Sequence, residues 1–88
     1  MSLMHFEDAL YMLKGGSKIT RDGWNGKSMW LYLVPANEYP AQTKAAAMHF
    51  GPMVPYRAYI AMKTAQNDVV PWVASQSDIL AEDWRTVE

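Results

Sequence analysis

Few side chains in this 88-residue sequence are equipped to make or break bonds. There are two histidines, His5 and His49, and no cysteine. Hydrolysis of the serine type needs a hydroxyl, a histidine base and an orienting acid brought together by the fold. His5 stands near the N-terminus and His49 lies in a proline-bracketed stretch with weak structural signal, so both read as surface residues. The lack of cysteine excludes thiolate nucleophiles, thiolate metal sites and disulfides, and fits a reducing compartment. Glu82-Asp83, with Asp78 one turn earlier, has the chemistry for acid–base or metal work, but no histidine-rich segment accompanies it. A solvated acidic face is the simpler reading. Gly15-Gly16-Ser17-Lys18 lacks the spacing of a phosphate-cradling glycine loop. The chain therefore reads as non-enzymatic, with no metal and no cofactor.

Three features are suited to binding instead. Trp24 sits in the turn Gly23 to Gly26, where its indole is either a small core plug or a stacking platform. Asn25 beside it either takes the left-handed conformation of the turn or offers its amide to a base or ribose edge. The segment Val70 to Asp78 places Ser75, Gln76, Ser77 and Asp78 after the aromatic Trp72; this is either an ordinary helix cap or an anion site. The third feature is charge placement. Residues 14–27 hold Lys14, Lys18, Arg21 and Lys27 against Asp22, whereas residues 78–88 hold Asp78, Glu82, Asp83 and Glu88 against Arg85. This dipolar layout is compatible with head-to-tail contact between chains, with phosphate steering, or with a generic solvated surface.

The elements that must position these residues follow from periodicity. Phe6, Ala9, Leu10 and Leu13 share one face of a helix that Gly15-Gly16 should end. Lys18 to Arg21 is β-capable, and Asp22-Gly23 and Asn25-Gly26 predict a reversal into a strand over Met29 to Val34. Alternation there puts Trp30, Tyr32 and Val34 on one face and Met29, Leu31 and Leu33 on the other. Both faces are apolar, so the strand should be covered twice: by the helix, and by an insertion or a second subunit. Between Pro35 and Pro55, four prolines bracket Gln42 to Phe50, which reads as a short helix or a mobile excursion. Arg57 to Ala65 and Val69 to Val73 form a hairpin, with Pro71 marking an edge or bulge. Ser75 or Ser77 caps a short helical turn, and Trp84 to Val87 closes the sheet. The fold class is α+β: an N-terminal helix, then a mostly antiparallel sheet of about five strands with one short helical turn near the C-terminus.

A chain of this length makes one domain, over residues 4–88, with Met1 to Leu3 read as a leader before the start at Met4. One thin core leaves little room to enclose a sizeable ligand within a single chain. The net charge of -1 argues against sequence-independent duplex binding. No apolar run reaches the ~20 residues that span a bilayer, so a soluble, cytoplasmic protein is expected.

Taken in order, Thr20-Arg21-Asp22-Gly23-Trp24-Asn25-Gly26-Lys27, then Tyr59 to Ala65, Val70-Pro71-Trp72, Ser75 to Ala81 and Asp83-Trp84 resemble the phage Thoeris anti-defence two family. The match runs from about Phe6 to Val87, interrupted over residues 35–55. The resemblance implies a small α+β protein of phages and prophages that counters a bacterial immune system by holding its signal, a cyclic ADP-ribose isomer. That signal would lie uncleaved in pockets between the chains of a homotetramer. Some relatives also hold cyclic dinucleotides at a separate site. By the same resemblance Trp24 would stack on a base with Asn25 contacting polar groups beside it, and Trp72, Ser75, Gln76 and Asp78 would meet ribose and pyrophosphate. Trp30 and Trp84 are left to packing. The competing expectation is a prophage structural or interaction module with its tryptophans in the core; single-strand nucleic acid binding through exposed aromatics ranks third.

Overall fold

The computed structural model describes residues 3–24 and 28–88. Helix α1, Phe6–Lys14, forms where the apolar spacing places it: Ala9 and Leu13 are fully buried, with Phe6 and Leu10 packed around them. Glu7 and Asp8 occupy its first turn and Lys14 its last, as the helix dipole favours. It stops at the two glycines. Gly16 takes φ 103°, and the amides of Gly16 and Ser17 donate back to the Leu13 and Met12 carbonyls at 3.0 and 3.1 Å.

Strand β1, Lys18–Arg21, leads through the Trp24 turn to β2, Trp30–Val34. The next stretch forms an arm of its own: β3, Asn37–Pro40, then α2, Lys44–Phe50, then β4, Met53–Tyr56. Thr43 caps α2, its Oγ1 accepting from the Ala46 amide at 3.2 Å. Strands β3 and β4 pair antiparallel from Asn37–Tyr56 to Pro40–Met53. Prolines at positions 40 and 55 hide these strands from a reading by propensity. A two-stranded ribbon tolerates them because each strand has a free edge, to which a missing N–H costs nothing. Among the described residues α2 packs on β4 and makes no substantial contact with the rest of the domain. The radius of gyration is accordingly 15.2 Å, against about 12 Å for a compact chain of this length.

Strands β5, Tyr59–Lys63, and β6, Val69–Pro71, make the expected hairpin; α3, Gln76–Leu80, and β7, Trp84–Val87, follow. The main sheet is antiparallel throughout, in the order β6-β5-β2-β1-β7. The α+β class with a five-stranded sheet is thus as the sequence predicts, and Pro71 does lie in an edge strand. The register pairs Ile19 with Leu31 and Leu31 with Met62, which sets these residues on the face beneath α1. Ala9, Leu13, Ile19, Leu31 and Trp84 form a core with no exposed surface.

Trp30, Tyr32 and Val34 lie on the opposite face and are half-buried. The arm does not cover them, so the second cover expected from the insertion is not supplied by it. Trp30, expected to serve packing, packs on this face and lies outside the core beneath α1. Its ring meets Tyr32 edge-on at 5.6 Å and the Lys18 ammonium at 4.9 Å. Leu31 is fully buried beneath α1, so Leu31→Ala should destabilise the domain by ~2–5 kcal/mol in chemical denaturation. Val73→Ala, at a side chain 86% exposed, should stay within about 0.5 kcal/mol; equal losses would contradict the placement of Leu31 in the core.

Candidate functional site

The fold draws four aromatic rings together at one end of the core. Trp84 is fully buried among them, with Phe6 at 5.2 Å and Trp24 edge-on at 5.4 Å. Trp72 reaches the same cluster, 6.1 Å from Trp84 and 6.5 Å from Trp24. It arrives there because its amide extends the β5–β6 ladder, donating to the Ile60 carbonyl at 3.0 Å. Trp24 and Trp72 are only half-buried, so each combines a packed edge with an accessible one. The two readings of Trp24, plug and platform, are therefore not exclusive: one side of its ring supports the core and the rest is presented outward.

A ring of charges holds this arrangement. Arg21, at the end of β1, donates from Nη1 to Asp78 Oδ1 and from Nε to Asp83 Oδ1, both at 2.8 Å. The Trp24 indole N–H donates to the same Asp78 oxygen at 3.2 Å. Asp78 Oδ2 accepts from the Ser75 hydroxyl at 2.9 Å and the Ser75 amide at 3.3 Å, while Ser75 Oγ accepts from the Asp78 amide at 3.0 Å. This is a capping box, which engages the Ser75 hydroxyl and the Ser75 and Asp78 amides within the chain. The Asp78 carbonyl receives the Trp84 indole N–H at 2.9 Å, tying the cap to the core.

The charge ring reorders the ionisations. Burial pushes the Asp78 carboxyl up, but hydrogen bonds from Arg21, Ser75 and Trp24 outweigh this and hold it below its ordinary value. Asp83 is held low chiefly by its bond from Arg21, against a smaller effect of burial. The Asp83 bond in turn raises Arg21, with Asp78 adding to it against desolvation. Asp83 is therefore no solvated acid; that reading holds for the exposed Glu82. Arg85 pairs with Asp22 at 2.6 Å in a largely exposed bridge, worth ~0–1 kcal/mol. These pairs also change the meaning of the dipolar charge layout. Because β1 lies beside β7, Arg21 and Asp22 of the basic segment pair with Asp78, Asp83 and Arg85 of the acidic segment within one chain.

Of the six nominated site residues, Trp24, Trp72, Ser75 and Asp78 come together. Gln76 is exposed at the start of α3, and Asn25 lies outside the described residues. His5 and His49 are exposed, as expected. Arg21, Gly23 and Asp83 were not nominated; the available signal was a cation and a glycine flanking the Trp24 turn with an acid immediately before Trp84. A cleft of about 240 Å³ beside the turn is lined by Thr20, Asp22, Trp24, Trp30 and Arg85 among others. It is smaller than the ~300–1,000 Å³ usual for ligand pockets. Among the described residues no three acidic or histidine side chains gather in a way that could hold a metal ion, and no helix is long and apolar enough to cross a membrane.

The family profile described as the Thoeris anti-defense 2-like domain matches residues 4–87. The chain belongs to that family. It is 40% identical over 87 residues to Thoeris anti-defense 2 of Bacillus phage SP01, covering 96% of this chain and 94% of the relative. In this Thoeris anti-defense 2-like domain, the motif beginning Thr20-Arg21-Asp22-Gly23-Trp24 and the motif Ser75 to Trp84 are spatial neighbours joined by the Arg21 bridges.

Both carboxyl groups sit lower in the folded chain than when unfolded, so their contribution to stability is complete above the unfolded value, near pH 4. It is lost as pH falls through the folded values. The thermal midpoint should hold between about pH 7 and pH 5 and fall below about pH 4. The fall should be shallower in Asp83→Asn; a wild-type midpoint unchanged at acid pH would contradict the bridge assignment.

Proposed function

We propose that the domain sequesters, without cleaving, a cyclic nucleotide immune signal of the cyclic ADP-ribose class, and so counters anti-phage defence in the host cytoplasm. The observation that carries the reading is the pairing of Trp24 and Trp72, two half-buried rings from separate family motifs, at one edge of the core. Stacking on a base contributes ~1–3 kcal/mol per ring. A dissociation constant of ~10 nM requires about 11 kcal/mol, so polar contacts must supply the rest. Gln76, exposed at the start of α3, can make one; Asn25 fits the same role by resemblance. Ser75 and Asp78 act by holding the cap and the Trp24 indole.

The pocket is completed by a second chain, in a homo-oligomer taken to be a tetramer. Charge supports this. Among the described residues the cluster sets Arg21 against Asp78 and Asp83, an acidic balance that would repel a pyrophosphate unless donors came from elsewhere. So does exposed apolar surface, which the arm carries at Met48, Phe50, Met53 and Tyr56. That surface also suits the competing reading, an interaction module without a nucleotide.

Two measurements separate the readings. Protein mixed with a cyclic ADP-ribose isomer, stripped of free ligand and then heat-denatured, should return the ligand intact; a cleaved product would refute sequestration. Trp24→Ala should abolish that retention while costing less stability than Trp84→Ala, for which ~3–5 kcal/mol is expected. Retention unaffected by Trp24→Ala would place the ligand elsewhere.

A further inference from the structure

Three consecutive residues before Trp24 are held by one acidic residue. Asp83 Oδ1 accepts from Arg21 Nε at 2.8 Å, its carbonyl accepts from the Asp22 amide at 3.1 Å, and its Oδ2 accepts from the Gly23 amide at 2.8 Å. The Trp24 amide then closes the turn on the Arg21 carbonyl at 3.3 Å. A second observation points to the same contact. A Cβ built on Gly23 would stand 2.7 Å from Asp83 Oδ2 and 3.3 Å from Arg21 Nη2, so a side chain at residue 23 would force the carboxylate to shift from its present contact with the main chain.

We propose that Asp83 is a positioning residue for the Trp24 platform: through the Gly23 amide and Arg21 it sets where the indole is presented, without itself touching a ligand. This rests on the reading of Trp24 as a ligand-stacking ring. The core does not need the Asp83 side chain. Strand β7 is registered on β1 by four pairs from Lys18–Val87 to Arg21–Trp84, and the bond from the Asp22 amide uses the Asp83 main chain. Losing the carboxylate frees the turn and breaks one of the two anchors of Arg21; the other, on Asp78, shares its oxygen with the Trp24 indole. Gly23→Ala attacks the same contact from the opposite side and should reproduce the effect.

The test compares wild type, Asp83→Ala, Asp83→Asn, Gly23→Ala and the neighbouring control Glu82→Ala. Ligand-free NMR is read first. Asp83→Ala and Gly23→Ala should both shift the Trp24 indole N–H and speed exchange of the residue 23 amide, leaving the buried Trp84 indole in place; Asp83→Asn, which keeps an acceptor, should shift less, and Glu82→Ala not at all. Affinity for cyclic ADP-ribose isomers, measured by calorimetry on samples with retained circular dichroism, should then fall at least tenfold in Asp83→Ala and Gly23→Ala. An unmoved Trp24 indole in Asp83→Ala overturns the positioning role, whatever binds. If the indole moves but affinity is unchanged, the role in binding is overturned. Wild-type protein that binds none of the isomers overturns the sequestration reading instead, and the ligand-free spectra still decide whether Asp83 sets the turn.

Discussion

The Arg21 guanidinium, held between Asp78 and Asp83, ties the end of β1 both to the cap of α3 and to the residue before β7. One end of the network is the Ser75 cap of α3, another is the Trp24 turn, and the Trp84 indole bond to the Asp78 carbonyl links both to the core. A half-buried ion network of this kind is weak as a source of stability, because desolvation offsets much of the attraction. Its value lies in direction. Each oxygen of Asp78 and Asp83 has a named partner, so the turn and the cap have one mutual orientation, and the rings of Trp24 and Trp72 are set with them.

That constraint explains why a chain of this size keeps two large rings only half-covered. Trp84 occupies the centre of the aromatic cluster and is sealed; Trp24 and Trp72 flank it and are supported from one side. Packing supplies rigidity on the inner side, and the charge ring consumes the polar groups that would otherwise face a ligand. Among the described residues, what is left exposed is aromatic surface beside an Arg21–Asp78–Asp83 group of one net negative charge. Such a surface suits a base better than a phosphate. A ligand carrying both therefore needs a second source of positive charge and hydrogen-bond donors, which is the physical case for a shared site between copies. The uncovered face bearing Trp30 and Tyr32, and the arm with its exposed methionines and Phe50, offer ample apolar area for assembly.

Most of the main sheet was legible in the sequence because its signals are local. The i, i+3, i+4, i+7 spacing of α1, the glycine stop, the alternation in β2 and the serine cap of α3 each depend on near neighbours. The arm was only half legible: Gln42 to Phe50 reads as a short helix or a mobile excursion, and Pro40 and Pro55 conceal strands that exist because a ribbon has two free edges. Which face of β2 meets α1 is not legible, because both faces are apolar and alternation cannot say which one the helix chooses. The site shows the same division. Trp24, Trp72, Ser75 and Asp78 stand out by type or motif, whereas Arg21 and Asp83 matter through a register pairing between β1 and β7 that no local pattern encodes. The basic and acidic segments look like a dipole along the chain, and in space Arg21 and Asp22 of the one pair with Asp78, Asp83 and Arg85 of the other.

The central claim is that this small domain acts by holding a nucleotide signal between copies of itself. Native mass spectrometry of the protein with an isomer of cyclic ADP-ribose tests it in one spectrum. The account predicts a multimer, a tetramer by family resemblance, carrying ligand of unaltered mass and losing that ligand when dissociated to single chains. A monomer that binds the ligand by itself, or a bound species whose mass shows the ligand hydrolysed, would contradict it.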